Sequence, residues 1–251
     1  MVEYTSSRAV LLSVEPTGTQ SRRVRVSAGS VPPRFAPDRS RSVFVDGCPL
    51  ITQEEDNAFR ASPYAWALAF AKADIDVAPA FEIADGHCGC LNQNCNRPGK
   101  HPLFQEDWTV GTRVKSEIHS WWRRRPTANL IVHTGRRSSL VVIDVDARDG
   151  GMEHFGQLSD RFPELANTFR VTTGSRGIHA YLRSDALWRS GMDVVSPGVD
   201  LRGEGGYVIG PGSRHISGRK YEANDNSILT MSEELREYLV GIGAAEKADA
   251  H

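Results

Sequence analysis

No stretch of the chain comes near the roughly 20 consecutive apolar residues that a membrane-crossing helix needs, and no signal-peptide-like run opens it. The expectation is a cytoplasmic protein with no membrane partner. Net charge is almost absent too, with 30 Lys and Arg set against 31 Asp and Glu to leave −1. The global charge therefore carries no nucleic-acid signal, and any basic surface has to be local. Cysteine is scarce at four residues, three of them within eight positions, a pattern that suits a metal better than disulfides in a cytosolic protein. No internal repeat is evident. What is present is the composition of an ordinary globular protein, 39% hydrophobic and 24% charged. Its 251 residues suffice for one large domain or two small ones.

The first 61 residues differ from the rest. Arg8, Arg22, Arg23, Arg25, Arg34, Arg39 and Arg41 face only Glu3, Glu15 and Asp38 before Val45, in a segment rich in Ser, Pro and Gly. It reads as a largely disordered basic extension, either a solvated tail or a nucleic-acid tether. Folded structure is expected over 62–241, followed by a flexible tail at 242–251. Ser62 as N-cap and Pro63 in the first turn open a helix along which Tyr64, Leu68, Ala71 and Ile75 recur at helical spacing. After a strand near Val77–Ala80 comes a long polar loop. A second helix runs from Val114 to Arg125, with Ile118, Trp121 and Trp122 on its apolar side and Pro126 ending it. Ala128–Thr134 and Ser139–Asp146 read as adjacent strands joined by the Gly135–Ser138 turn, and Met152–Phe162 as a helix. Phe169–Thr173 and Gly177–Leu182 form a strand pair. Strands near Val199–Arg202, Gly206–Ile209 and Lys220–Glu222 precede a closing helix at Ser232–Val240. Helices mixed with short hairpins favour an α+β fold.

Three stretches carry chemistry. In Leu140-Val141-Val142-Ile143-Asp144-Val145-Asp146, two carboxylates interrupt an apolar strand. Being two residues apart they share a face, roughly 6.6 Å apart along the strand. A divalent cation would offset the cost of placing two carboxylates there, and hard oxygen ligands suit Mg²⁺ or Mn²⁺. The plain alternative is an exposed strand end ahead of the Arg148-Asp149-Gly150-Gly151 turn. In the polar loop, Cys88, Cys90, Cys95 and His101 supply three thiolates and an imidazole, the complement of a closed structural zinc site. His87 competes as fourth ligand, and a catalytic zinc or a set of reduced thiols stays open. Cys48 lies far off as a lone thiol.

The third stretch pairs the Gly174-Ser175-Arg176-Gly177 turn, whose backbone N–H groups suit a phosphate, with His179 on the outgoing strand. Alone, His179 reads as readily as a core histidine. Asp200 and Arg202 then share a strand face beside further Gly-rich turns. Metal carboxylates, a phosphate-ready turn, a histidine and an arginine together point to metal-assisted phosphoryl or nucleotidyl transfer. Arg123, Arg124 and Arg125 beside Trp121 and Trp122 offer a basic, aromatic platform for a single strand, or simply a charged helix end over a buried Trp pair.

The order of these motifs resembles the bifunctional DNA primase/polymerase domain of the archaeo-eukaryotic primase superfamily. Cys-x-Cys…Cys…Pro-Gly-Lys-His-Pro, Trp-Trp…Pro…Ala-Asn, Ile-Asp-Val-Asp…Gly-Gly, Thr-Gly-Ser-x-Gly-x-His and Val-Asp-x-Arg-Gly-x-Gly-Gly-Tyr-Val run from about Tyr64 to Tyr221. Such domains are common in plasmids, phages and actinobacteria. The resemblance implies an RRM-like palm with a smaller N-terminal α/β part carrying a zinc loop at 85–103. It implies Asp144, Asp146 and Asp200 as the acids binding catalytic Mg²⁺ or Mn²⁺. His179 would serve beside them, with Ser175, Gly177 and Arg202 completing the nucleotide site. Cys88, Cys90, Cys95 and His101 would hold Zn²⁺. It further implies a nucleotidyltransferase acting on single-stranded DNA with NTP or dNTP; such domains are often fused to a helicase, and the expectation here is a replicative helicase in trans or none. The alternatives are a catalytically silent DNA-binding module and a metal-dependent nuclease or phosphotransferase. Arg176 departs from the small residue usual inside that turn.

Overall fold

A computed structural model describes residues 61–104 and 111–244. The expected basic extension up to residue 60, Cys48, and the tail from 245 onward lie outside the described residues.

The opening helix, α1 (Pro63–Lys72), starts as expected, with Ser62 Oγ accepting from the Ala65 N–H. Its core face is different from the expected one. Trp66, Ala67 and Phe70 are buried, while Tyr64, Leu68 and Ala71 pack only at the margin. This helix is apolar nearly all round, so its pattern selects no face, and packing decides. The chain continues through β1 (Val77–Ala80), the small hairpin of β2 (Ile83–Ala84) and β3 (His87–Cys88), α2 (Lys115–Arg124), β4 (Asn129–His133) and β5 (Leu140–Val145). Then come α3 (Gly151–Arg161), α4 (Glu164–Asn167), β6 (Arg170–Thr172), β7 (Ile178–Arg183), β8 (Gly191–Ser196), β9 (Val199–Arg202), β10 (Tyr207–Ile209), β11 (Glu222–Ala223), β12 (Leu229–Thr230) and α5 (Glu233–Gly241). The fold is mixed α and β with largely antiparallel sheets, as expected.

A three-stranded sheet has the order β1-β4-β10, and a larger sheet the order β11-β6-β7-β5-β9-β8, with β12 parallel to β7. β4 and β5 are therefore not the hairpin that their proximity in sequence suggests. Only a Gly135–Leu140 bridge joins them before they part into separate sheets. The intervening 3₁₀ turn, Arg136–Ser138, ends at Ser139 in a left-handed conformation with φ of 43°, which redirects the chain.

Side-chain alternation along β5 assigns the two faces of the larger sheet. Val141, Ile143 and Val145 join Phe155, Leu158, Leu165, Leu235 and Leu239 in a core under α3, α4 and α5. Leu140 and Val142 join the other core, with Phe70, Ile118, Leu130, Ile131, Phe169 and Tyr181. The smaller sheet, α1 and α2 thus cover the face from which Asp144 projects.

An ionic joint ties the layers together. The Asp76 side chain is only 1% exposed, yet it accepts two 3.1 Å hydrogen bonds from Arg113 and pairs with Arg137 Nε at 3.2 Å. Its N–H donates to Ser138 Oγ, and Arg183 at the end of β7 donates to the carbonyls of Ser138 and Ala73. A buried carboxylate is tolerated because it is fully paired. Among the described residues, no helix is long and apolar enough to cross a membrane.

His133, buried beside this joint, has its pKa lowered by desolvation to about 4. The unfolded chain, with His near 6.5, binds the proton first as pH falls, so stability is lost from about pH 6.5 down toward pH 4. By pH 5 this one residue removes about 2 kcal/mol. Urea midpoints at pH 7 and pH 5 are expected to show that drop, and His133→Gln is expected to shrink the difference between the two pH values.

Candidate active site and metal centre

The site is assembled by strand register. In the central trio β7-β5-β9, Asp144 lies directly opposite His179 on one side and Asp200 on the other. Neighbours in these strands assign all three to one face: Val145, Ala180 and Leu201 point into the opposite core. His179 Nε2 lies 3.4 Å from Asp144 Oδ1. Arg202 donates from Nε to Asp144 Oδ2 at 3.0 Å and from Nη2 to Asp200 Oδ2 at 2.7 Å. Asp200 Oδ1 accepts from the Asp193 N–H at 2.8 Å. Asp146 lies one residue beyond β5, held by the backbone N–H, Nε and Nη2 of Arg148.

These surroundings separate the ionisable groups. Hydrogen bonding from Arg148 holds the Asp146 carboxyl below the usual range. Desolvation pushes Asp200 upward. Burial lowers the pKa of His179 although Asp144 opposes the shift, so the ring is neutral at pH 7.

Asp144, Asp146, Asp200, His179, Arg202, Ser175 and Thr173 all line one cavity of about 210 Å³. The structure thus brings together every expected nucleotide-site residue except Gly177, which sits behind the wall. A Cβ at Gly177 would lie 2.0 Å from the Val145 carbonyl oxygen, so only glycine lets β5 approach the turn this closely. Within the turn, the Gly177 N–H donates to Thr173 Oγ1, Thr173 Oγ1 contacts Ser175 Oγ at 3.0 Å, and Arg176 takes φ of 72°. Arg176 is exposed and does not line the cavity. Gly151 plays a similar part beneath Asp146, because a Cβ there would meet the Asp146 carbonyl at 2.2 Å.

Among the lining residues that sequence reasoning did not assign to the site are Arg97, Lys100, Tyr207 and Tyr221. Lys100 and Tyr207 do fall inside quoted motifs, but no spacing rule carries a loop residue to a strand forty positions away. Of the two readings of the Trp pair, the structure bears out the charged helix end over buried rings. Trp121 and Trp122 are 9% and 4% exposed, and Trp122 Nε1 donates to the Ala128 carbonyl, so both serve the core. Arg124 stacks on Phe104 instead, and Arg125 pairs with Glu82.

The cysteine loop forms a second centre. The ligand atoms of Cys88, Cys90, Cys95 and His101 all lie within 4.8 Å of one another, the one such group of His, Cys, Asp or Glu among the described residues. His101 Nε2 lies 3.3 Å from Cys88 Sγ and 3.5 Å from Cys95 Sγ. Tetrahedral zinc with ordinary Zn–S and Zn–N lengths needs an S···N edge of about 3.6 Å. His87 turns away to the Asp85 carbonyl. Burial pushes the Cys88 thiol up to about 11 and lowers His101, leaving a neutral imidazole. A cation in this knot would hold the sulfur as thiolate, and the donor set fits zinc.

Residues 67–237 match the family described as bifunctional DNA primase/polymerase, N-terminal. The chain belongs to this prim-pol family. No curated protein matches the chain. Family membership gives the domain primase/polymerase-type nucleotidyltransferase character, DNA and nucleotide substrates, and metal dependence. The two centres above lie inside the matched prim-pol segment. The three aspartates are not gathered as the Cys88, Cys90, Cys95 and His101 donors are, with Arg202 between two of them and Arg148 on the third.

Purified protein is expected to carry one equivalent of zinc by metal analysis. Stripping it with a chelator is expected to raise amide hydrogen exchange at least about tenfold through residues 83–101, since few apolar contacts hold that loop.

Proposed function

We propose that this protein is a DNA primase/polymerase that makes and extends primers on single-stranded DNA during replication, by template-directed nucleotidyl transfer. The observation that carries this reading is the in-register row His179–Asp144–Asp200, lining one cavity with the Thr173–Gly177 turn. Asp144, Asp146 and Asp200 are the residues that would hold two divalent cations, Mg²⁺ or Mn²⁺, and three carboxylates facing one cavity are the right donor chemistry. Bound there, such cations supply Lewis acidity toward the primer 3′-hydroxyl and charge neutralisation toward the departing pyrophosphate.

The chain's own groups do the positioning. Buried His179 faces Asp144 through Nε2 and steadies that carboxylate beside the incoming phosphate. Ser175 and the backbone of its turn cradle the same anion, and Arg202 supplies a fixed cation. Positioning and electrostatic stabilisation of this kind dominate phosphoryl-type chemistry. On this reading β6, β7, β5 and β9 with α3 form an RRM-like palm within a prim-pol domain at 62–241. The loop at 85–103 carries a structural zinc, with 1–61 and 242–251 as extensions. The protein works in the cytoplasm on NTP or dNTP, together with a replicative helicase, in plasmid or phage replication.

A second reading, a DNA-binding module without catalysis, draws on Arg202, whose guanidinium pairs with both Asp144 and Asp200. Nucleotide incorporation on single-stranded DNA, with and without primer and with Mg²⁺ or Mn²⁺, separates the two. Asp144→Asn is expected to lower synthesis at least about 100-fold while circular dichroism stays native. Undiminished synthesis in that variant would remove Asp144 from the chemistry. DNA binding without product in the unmodified chain would establish the second reading.

A further inference from the structure

The zinc knot and the catalytic cavity are far apart in sequence, yet one residue belongs to both. Lys100 stands between Gly99, whose N–H donates to Cys88 Sγ at 3.4 Å, and His101, itself one of the four zinc donors. Its side chain is half-buried and lines the cavity that contains Asp144, Asp146, Ser175 and Arg202. The backbone around it is held from three further directions. Asn129 Nδ2 donates to the Gly99 carbonyl at 2.9 Å, Tyr207 Oη donates to the Lys100 carbonyl at 3.0 Å, and Arg97 Nη2 reaches Tyr207 Oη at 2.9 Å.

The other cations lining this cavity are engaged, Arg202 spanning two aspartates and Arg97 reaching Tyr207 Oη, while Arg148 holds the third aspartate from outside the lining. Among the described residues, Lys100 has no carboxylate within ion-pair distance. A half-buried ammonium on a backbone fixed this firmly is arranged for an anion that arrives from solution.

We propose that Lys100 binds a phosphate of the incoming nucleoside triphosphate, and that the Cys88, Cys90, Cys95 and His101 knot aims it there. The proposal rests on reading the cavity as a nucleotide site. It makes the metal knot a positioning element for substrate as well as a fastening for its own loop. Loss of the metal releases Gly99 and His101 together, and with them the direction of the side chain between them.

The test is equilibrium binding of a fluorescent adenosine triphosphate analogue to the full chain in Ca²⁺, with zinc content measured on each sample. Lys100→Gln is expected to weaken triphosphate binding about tenfold with one zinc equivalent retained, and Lys100→Arg to recover most of it. Labelled adenosine, which has no phosphate, is expected to bind all forms alike. Cys90→Ser is expected to lose zinc and weaken triphosphate binding by a similar factor, with no further loss when combined with Lys100→Gln. Unchanged triphosphate affinity in Lys100→Gln, while Arg202→Gln weakens it, overturns the proposal and leaves the nucleotide site standing. Zinc loss in Lys100→Gln overturns direct contact, and normal triphosphate affinity in zinc-free Cys90→Ser overturns the aiming role. An unmodified chain that binds no triphosphate overturns the nucleotide reading of the cavity and this proposal with it.

Discussion

Two aspartates face each other across neighbouring antiparallel strands, and much of the molecule follows from keeping them there. Like charges directly opposite in a sheet repel, and Asp144 and Asp200 are such a pair. Arg202, two residues along β9 from Asp200, lies on the same face and reaches both carboxylates. His179 closes the row from β7. The rest of this face is apolar and covered by the smaller sheet with α1 and α2. The charged row therefore sits where the covering layer stops, at the mouth of a cavity rather than within a sealed core.

The two layers have to hold a fixed separation for such a mouth to exist. Tyr207, Val208 and Ile209 of the small sheet form part of the cavity wall, opposite strands of the large one. The Asp76–Arg113–Arg137 joint fixes that relation, because it gathers the start of β1 and the turn that carries the chain from one sheet to the other. Removing either arginine would leave a buried carboxylate with less than its full pairing, a more costly state than the surface exposure of most ion pairs would suggest.

Much of this was legible in the sequence, for physical reasons that differ between residues. Period-two alternation places Asp144, Asp200 and Arg202 on defined strand faces, and that rule survives any tertiary arrangement. Ser62 announced a helix start because capping is a local hydrogen bond. The partition of β4 and β5 between sheets was not legible, since a short turn between two apolar runs looks the same whether or not the runs pair. The face of α1 was hidden because its apolar residues surround the axis. The Trp pair left two readings open, because burial is a property of what covers a residue, and here the core covers both rings. Lys100 escaped notice because its neighbours in space come from strands remote in the chain.

The distribution of groups between strands and loops has a consequence for how such a protein changes over generations. Asp144, Asp200, His179 and Arg202 are set by sheet register, and a one-residue slip would turn each to the opposite face. Arg97 and Arg148 stand on loops, where exchanges are tolerated far better. Selection can therefore vary the exposed rim residue by residue, while the register-fixed row beneath changes only as a block.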